Sequence, residues 1–503
     1  MTLILFLTGV GVPLYHEIIK FVKRIFIMKA GRNIANRTPL NNRIFPIKFY
    51  KVKYRLALIA AIGIVIISSC KKTDVQSVTP QLPQTSLDDK LKDSVVLYAQ
   101  DIFLWYSQLP SSFNGRTYAD PDKIMNAIRN YSIEPGFSQP VDKWSFAAKK
   151  QEWDNVSSGI SQDFGLNVFF HAEGDLRVKY VETESPAGRA GIRRGWRITK
   201  INGNSNMSTA NADFIVQGIY NSGASNFTFQ KQDGTTADIS LNAAAYQEHP
   251  IILDSLYTSN AKKVGYLVFN SFLGDTTEIY NQFQRIFNNF GSQQINELVI
   301  DLRYNGGGYV SVQEKLANYI VNSSANGQMM MKQQFNDKYT QFNETTNFSK
   351  KGPLNLERVF FIVSKSTASA SELLINNLKP YMDVKVVGPS ATYGKPVGFF
   401  PIPVNDWYIF PVSFRTVNKN GEGNYFNGIT INNQVADGLD KDWGDLTESS
   451  LASVFKYVNT GGFRARIDET TNPYKQSPQV IEGNKKLDEP SFKGIIDTQK
   501  AFR

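Results

Sequence analysis

Two short apolar runs, Leu298-Val299-Ile300 and Val359-Phe360-Phe361-Ile362-Val363, each lead into a turn of small or polar residues and then into a stretch with helical spacing. This strand, turn, helix order restricts the fold more than any other feature of the chain. A short, uninterrupted apolar run bounded by turn residues reads as a buried strand. The same order recurs at Val264–Phe269, which is followed by Ile279, Phe283 and Ile286 at helical intervals. A further helix is marked by Val312, Leu316, Tyr319 and Ile320. The alternation argues an α/β core over 250–463, with helices packed on a sheet.

The two turns carry the chemistry. Val363 is followed by Ser366-Thr367-Ala368-Ser369-Ala370-Ser371-Glu372, ahead of the helical Leu373–Leu378. A serine at such a turn stands beside helix N–H groups that have no intrahelical partner. It needs a base within reach to act as a nucleophile. Lys395, between Gly394 and Pro396 and ahead of Val397-Gly398-Phe399-Phe400, is a candidate, because burial would disfavour its ammonium form. Ser369-x-x-Glu372 is also the pattern of a capping box, and Gly-Lys alone reads as a turn with a solvated lysine. The upstream run Asp301-Leu302-Arg303-Tyr304-Asn305-Gly306-Gly307-Gly308 shifts the balance towards chemistry.

In that order, the glycine loop, the TASASE turn and a Gly-Lys some 25 residues later, the chain resembles the S41 serine peptidases, the C-terminal processing or tail-specific proteases. The resemblance implies Ser369 as nucleophile, with Ser371 as the second choice, and Lys395 as general base. It also implies an oxyanion hole from the amides of Ala370 and Gly307. One position departs from the pattern. Phe399 stands where these proteases usually carry a glutamine that orients the lysine. The three histidines, His16, His171 and His249, fit no nucleophile–base spacing.

Ahead of the core, Glu184-Ser185-Pro186-Ala187-Gly188 through Ile201-Asn202-Gly203 is similar to a PDZ domain, placed at 160–245. A hairpin of Phe227–Phe229 and Ile239–Leu241 around Asp233-Gly234 closes it. PDZ domains hold an extended chain terminus by strand addition, and the resemblance assigns the carboxylate-binding loop to Gly165, Leu166 and Asn167. Before it, Leu91, Val95, Tyr98, Ile102 and Trp105 form an amphipathic stripe, and Asp120-Pro121 opens a second helix. Residues 87–158 thus read as a small helical N-terminal domain. Residues 464–503 read as an irregular tail. The fold class is multidomain: helical, then β-rich PDZ-like, then α/β.

The net charge of +10 is confined to the leader. Residues 1–69 hold 11 Lys/Arg and one acidic residue, and the remainder is neutral, which gives no support for nucleic acid as a partner. Lys48, Lys51, Lys53 and Arg55 precede the apolar Leu56–Ile67, which ends in Ser68-Ser69-Cys70. A basic segment, a short apolar core and small residues make a secretory signal, too short for a span of about 20 residues. Cys70, the only cysteine, sits as in a bacterial lipobox. The expectation is a leader over 1–70, a lipid on Cys70, a tether over 71–86 and a membrane-anchored lipoprotein in the bacterial envelope; Phe103-Leu104-Trp105-Tyr106 followed by Leu109-Pro110 resembles the N-terminal domain of Bacteroidetes-type S41 lipoproteins. The expected activity is a serine endopeptidase acting on proteins or peptides selected by their C-terminus, with no cofactor and no metal. The competing reading is a non-catalytic binding lipoprotein on the same fold.

Overall fold

The structure, a computed structural model, describes residues 86–463, 476–488 and 492–498. The expected leader over 1–70, with Cys70, and all of the 71–86 tether except Ser86 lie outside the described residues.

A six-stranded sheet organises the core. Its order is Asn433–Gln434, Asp383–Gly388, Arg358–Ile362, Glu297–Asp301, Lys262–Phe269 and Ile251–Ser259. All neighbours are parallel except the last two, which pair antiparallel. The apolar runs are continuous because both faces of this sheet are covered. Val359 and Phe361 face the helices Thr276–Ser292, Val310–Ile320 and Ala370–Leu378, whereas Phe360 and Ile362 face the helix Ser449–Thr460. The parallel strands Glu297–Asp301 and Arg358–Ile362 end on the same side, where the glycine loop and the serine turn follow them, so the sheet acts as the mount for the candidate site.

A five-stranded antiparallel sheet, from Leu166–Ala172 to Thr236–Asn242, and the helix Ala212–Tyr220 form the PDZ-like domain. The hairpin pairs Phe227 with Ile239 as the pattern implied. Leu166–Ala172 is an edge strand. The domain is joined to the core by a buried ionic cluster. Arg194 donates to Asp437 at 2.7 Å, and Arg303 reaches Asp301, Asp437 and Glu448 at 2.8–2.9 Å.

The N-terminal helices are present at Leu87–Ile102 and Pro121–Ile128, capped by Ser86 and Asp120. They share one core with the peptidase part: Val95, Ile102 and Ile124 lie in the same apolar cluster as Phe399, Ile409 and Phe410. Strand Phe146–Lys149, which falls inside the expected helical segment, pairs with Trp407–Phe410 more than 250 residues away. Trp105 lies beyond the helix end rather than on its stripe, and its indole N–H reaches Glu134.

The segment expected to be irregular contains a helix, Pro478–Asp488, and a strand, Gly494–Ile496. The strand has no period of its own in the sequence. It exists because it pairs with Gly307–Tyr309, a partner nearly 190 residues upstream.

Candidate active site

Ser369 lies directly after the core strand Arg358–Ile362 and its turn, at the start of the helix Ala370–Leu378. Its backbone has φ +64° and ψ −111°, a conformation that only glycine adopts cheaply, and one often found where strain serves a site. The side chain is buried, yet its Oγ has no hydrogen-bond partner among the described residues. A buried hydroxyl left unpaired in this way is costly and marks the position as one kept for something other than packing. Ser371, the second choice, has its hydroxyl engaged with the carbonyl of Asn305 at 3.1 Å and supports the helix start.

Glu372 supplies what the sequence pattern left ambiguous. The capping-box arrangement is present, with Oε2 of Glu372 accepting the Ser369 N–H at 2.8 Å, while the return contact to Ser369 Oγ falls short of a hydrogen bond. The same oxygen accepts the Lys395 N–H at 2.8 Å, and Oε1 accepts the Gly394 N–H at 2.6 Å. The carboxylate therefore fixes the serine turn and the lysine loop to each other. Burial pushes its pKa up, against the pull of these hydrogen bonds. Spacing alone could not show that a cap residue also holds a loop 23 residues away.

Lys395 is fully buried, and burial holds its amine well below the ordinary lysine range, opposed by the charge of Asp142. The departure at Phe399 has a structural outcome. The Phe399 ring lies 3.8 Å from Nζ, with Trp144 at 5.7 Å, so aromatic faces flank the amine where the family pattern would place an amide. Nζ donates to the carbonyl of Lys493 at 3.1 Å.

The glycine loop closes the site on its other side. Gly307 has φ +102°, and a Cβ there would lie 2.9 Å from both the Ala370 amide and Ser369 Cβ, so only glycine leaves this space open. Its own N–H points to Asn305 Oδ1 at 2.9 Å. Of the two amides expected to form the oxyanion hole, Ala370's sits at the helix start and Gly307's is engaged by Asn305. The contribution of Asn305 was not visible in the sequence pattern, which presents it only as a loop residue. Its Nδ2 also donates to the Phe269 carbonyl at 2.9 Å, tying the loop to the neighbouring strand.

Of the residues expected to form the carboxylate loop, Gly165 precedes the edge strand, whereas Leu166 and Asn167 are its first two residues, a correction to the expected loop. The Gly165 N–H is bonded to Asp163 at 2.6 Å, and Leu166 and Asn167 are paired with Val181 and Tyr180. Three carboxylates gather behind it. Glu182 is pushed up to about 8, first by burial and then by the charge of Glu248. His171 and His249 pair with Asp175 and Glu278 and take no part in the site.

Residues 263–435 match peptidase family S41, and residues 177–219 match the PDZ domain. The chain is 27% identical over 314 residues to the "Probable CtpA-like serine protease" of Staphylococcus aureus (strain N315), covering 59% of this chain and 60% of that protein. It is 27% identical over 281 residues to the carboxy-terminal processing protease CtpB of Bacillus subtilis (strain 168), covering 55% and 54%. The chain thus spans about 60% or less of the length of these curated relatives. A crystal structure of a candidate S41 protease from Bacteroides fragilis NCTC 9343 aligns with a TM-score of 0.60 at 21% identity, over 73% of this chain and 97% of that one, a likeness of fold.

Proposed function

We propose, from the match of residues 263–435 to peptidase family S41 and of residues 177–219 to the PDZ domain, that the protein is a serine endopeptidase working through a Ser369–Lys395 dyad. The observation that carries the reading is the Glu372 carboxylate, which joins a strained, unpartnered serine to a buried lysine of depressed pKa. Neutral Lys395 takes the proton from Ser369 Oγ as the oxygen attacks a peptide carbonyl carbon. The oxyanion forms beside the Ala370 amide, where preorganised donors act most strongly. The carbon–nitrogen bond breaks, and the lysine returns its proton to the leaving amine. Water then attacks the ester with Lys395 again as base, releasing the acid and restoring Ser369.

The PDZ groove selects polypeptide substrates by their C-terminal segment, with Gly165–Asn167 as the receiving loop. Incubating the protein with an unstructured polypeptide tests the activity: fragments should appear with the wild type and not with Ser369→Ala. Equal fragmentation by both would remove the assignment. The competing reading, a non-catalytic binding protein, is favoured by the absence of a hydrogen bond between Ser369 Oγ and Lys395, and the same experiment decides it.

Cys70 is read as the lipid-bearing residue of an envelope lipoprotein, on the strength of the Leu56–Ile67 run and Ser68-Ser69. Mass spectrometry of membrane-extracted protein should find a diacylated Cys70 at the mature N-terminus. An unmodified cysteine there would leave the anchor without support.

A further inference from the structure

Both surfaces expected to receive a polypeptide are already filled by this chain. The helix Pro478–Asp488 lies along the PDZ groove, against the edge strand Leu166–Ala172 and the helix Ala212–Tyr220. Asn484 acts on that edge as a neighbouring strand would: its Oδ1 accepts the Phe170 N–H at 2.8 Å and its Nδ2 donates to the Phe170 carbonyl at 3.0 Å. Val480 and Leu487 are buried in the core of the domain.

Residues 492–498 then run through the catalytic cleft. Gly494–Ile496 pairs in parallel with Gly307–Tyr309, and the Gly494 N–H donates to the Gly306 carbonyl at 3.0 Å. On its other side, the Phe399 N–H donates to the Ile495 carbonyl at 3.0 Å, and the Asp497 N–H to the Phe399 carbonyl at 3.1 Å. The segment is therefore a strand inserted between the glycine loop and Phe399, with Ile495 and Ile496 buried. Strand addition of this kind is how an extended peptide docks on a sheet edge. The Lys493 carbonyl faces Nζ of Lys395, and Nζ is thereby engaged away from Ser369 Oγ.

We propose that the segment carrying Pro478–Asp488 and Gly494–Ile496 is a built-in occupant of the PDZ groove and the catalytic cleft, and that it keeps the peptidase latent until an incoming polypeptide displaces it. The latency half rests on the hydrolytic reading given above; the occupancy half does not. A tethered segment competes at an effective concentration on the order of millimolar, so weak contacts suffice to hold it and a good substrate can still replace it.

The test uses the full chain with two variants, Ile495→Asp, which places a charge in the buried strand, and Asn484→Ala, which removes both bonds to Phe170 while leaving the cleft residues intact. Hydrogen exchange at the Phe170 and Phe399 amides reads occupancy, and cleavage of an unstructured polypeptide reads latency. In the wild type both amides should exchange slowly. Each variant should exchange faster at the amide it frees and cleave about tenfold faster, the gain expected when a cleft nine-tenths occupied is opened. A synthetic peptide of residues 476–498 should reverse the gain in both variants. Fast exchange at both amides in the wild type overturns the occupancy, and freed amides without faster cleavage in an active enzyme overturn the latency. If freed variants and wild type alike cut nothing, the hydrolytic reading falls, while slow exchange in the wild type alone still supports the occupancy.

Discussion

Ser369 and Lys395 donate their backbone N–H groups to one and the same oxygen, Oε2 of Glu372, each at 2.8 Å. The spacing of the proposed nucleophile and base is thus set by a third residue through main-chain bonds, and it does not depend on where the lysine side chain points at a given moment. An occupant can reorient the lysine side chain without the site losing its frame.

Glu372→Gln should test that frame. An amide has one acceptor oxygen where the carboxylate has two, so N–H groups of one loop would face an NH₂ group. Each buried donor left unpaired costs about 1–3 kcal/mol. Activity should fall by roughly a hundredfold or more, since small misplacements of reacting groups are expensive, while circular dichroism stays native. A variant with near-normal turnover would show that the carboxylate is only a helix cap.

Ser369→Gly and Ser369→Ala should both be inactive but differ in stability. Glycine accepts φ +64° without a Cβ penalty and alanine does not. Thermal unfolding should place the glycine variant above the alanine variant by about 1–2 kcal/mol. The reverse order would mean that the turn is not strained.

As the proposed base, Lys395 would act only when neutral, so activity should rise with pH through its depressed pKa. The folded protein binds fewer protons at this site than the unfolded chain between the depressed value and the ordinary lysine value, so stability should rise with pH across that window. Lys395→Met should therefore be stabilised most below the window, with the advantage fading as pH climbs through it. Phe399→Leu removes the ring that favours the ammonium and should move the acid limb of the activity profile down by about one unit. An unmoved limb would show that the ring does not tune the base.

Arg303→Met should cost about 3–5 kcal/mol in denaturant unfolding, because Asp301, Asp437 and Glu448 would lose their shared cation in a buried setting. An unchanged midpoint would show that the cluster is dispensable for joining the PDZ domain to the core.

The sequence was most informative where local pattern and chemistry coincide. The apolar runs at Leu298 and Val359 announced buried strands in a sheet packed by helices, and the serine turn, the glycine loop and Lys395 were each visible as motifs. Three things were not. Glu372 appeared as a helix cap because its second set of bonds is made to a loop far along the chain. Asn305 appeared as a loop residue because its work is done through side-chain bonds to backbone groups. Gly494–Ile496 looked irregular because three residues carry no period, and their strand geometry is imposed by Gly307–Tyr309. Each is a case in which tertiary partners, rather than local propensity, decide the outcome.

The pairing of Phe146–Lys149 with Trp407–Phe410 has a consequence for biosynthesis. Such distant contacts carry a loop-closure cost and form late. A nascent chain cannot complete the wall of the cleft that contains Phe399 until about 410 residues have been made, and the strand that fills the cleft follows some 85 residues later. The interval in which a finished cleft stands open is therefore short, about 4–17 s at roughly 5–20 residues per second. On the proposed reading, the order of synthesis itself would limit how long the newly made protein meets its neighbours with an open cleft.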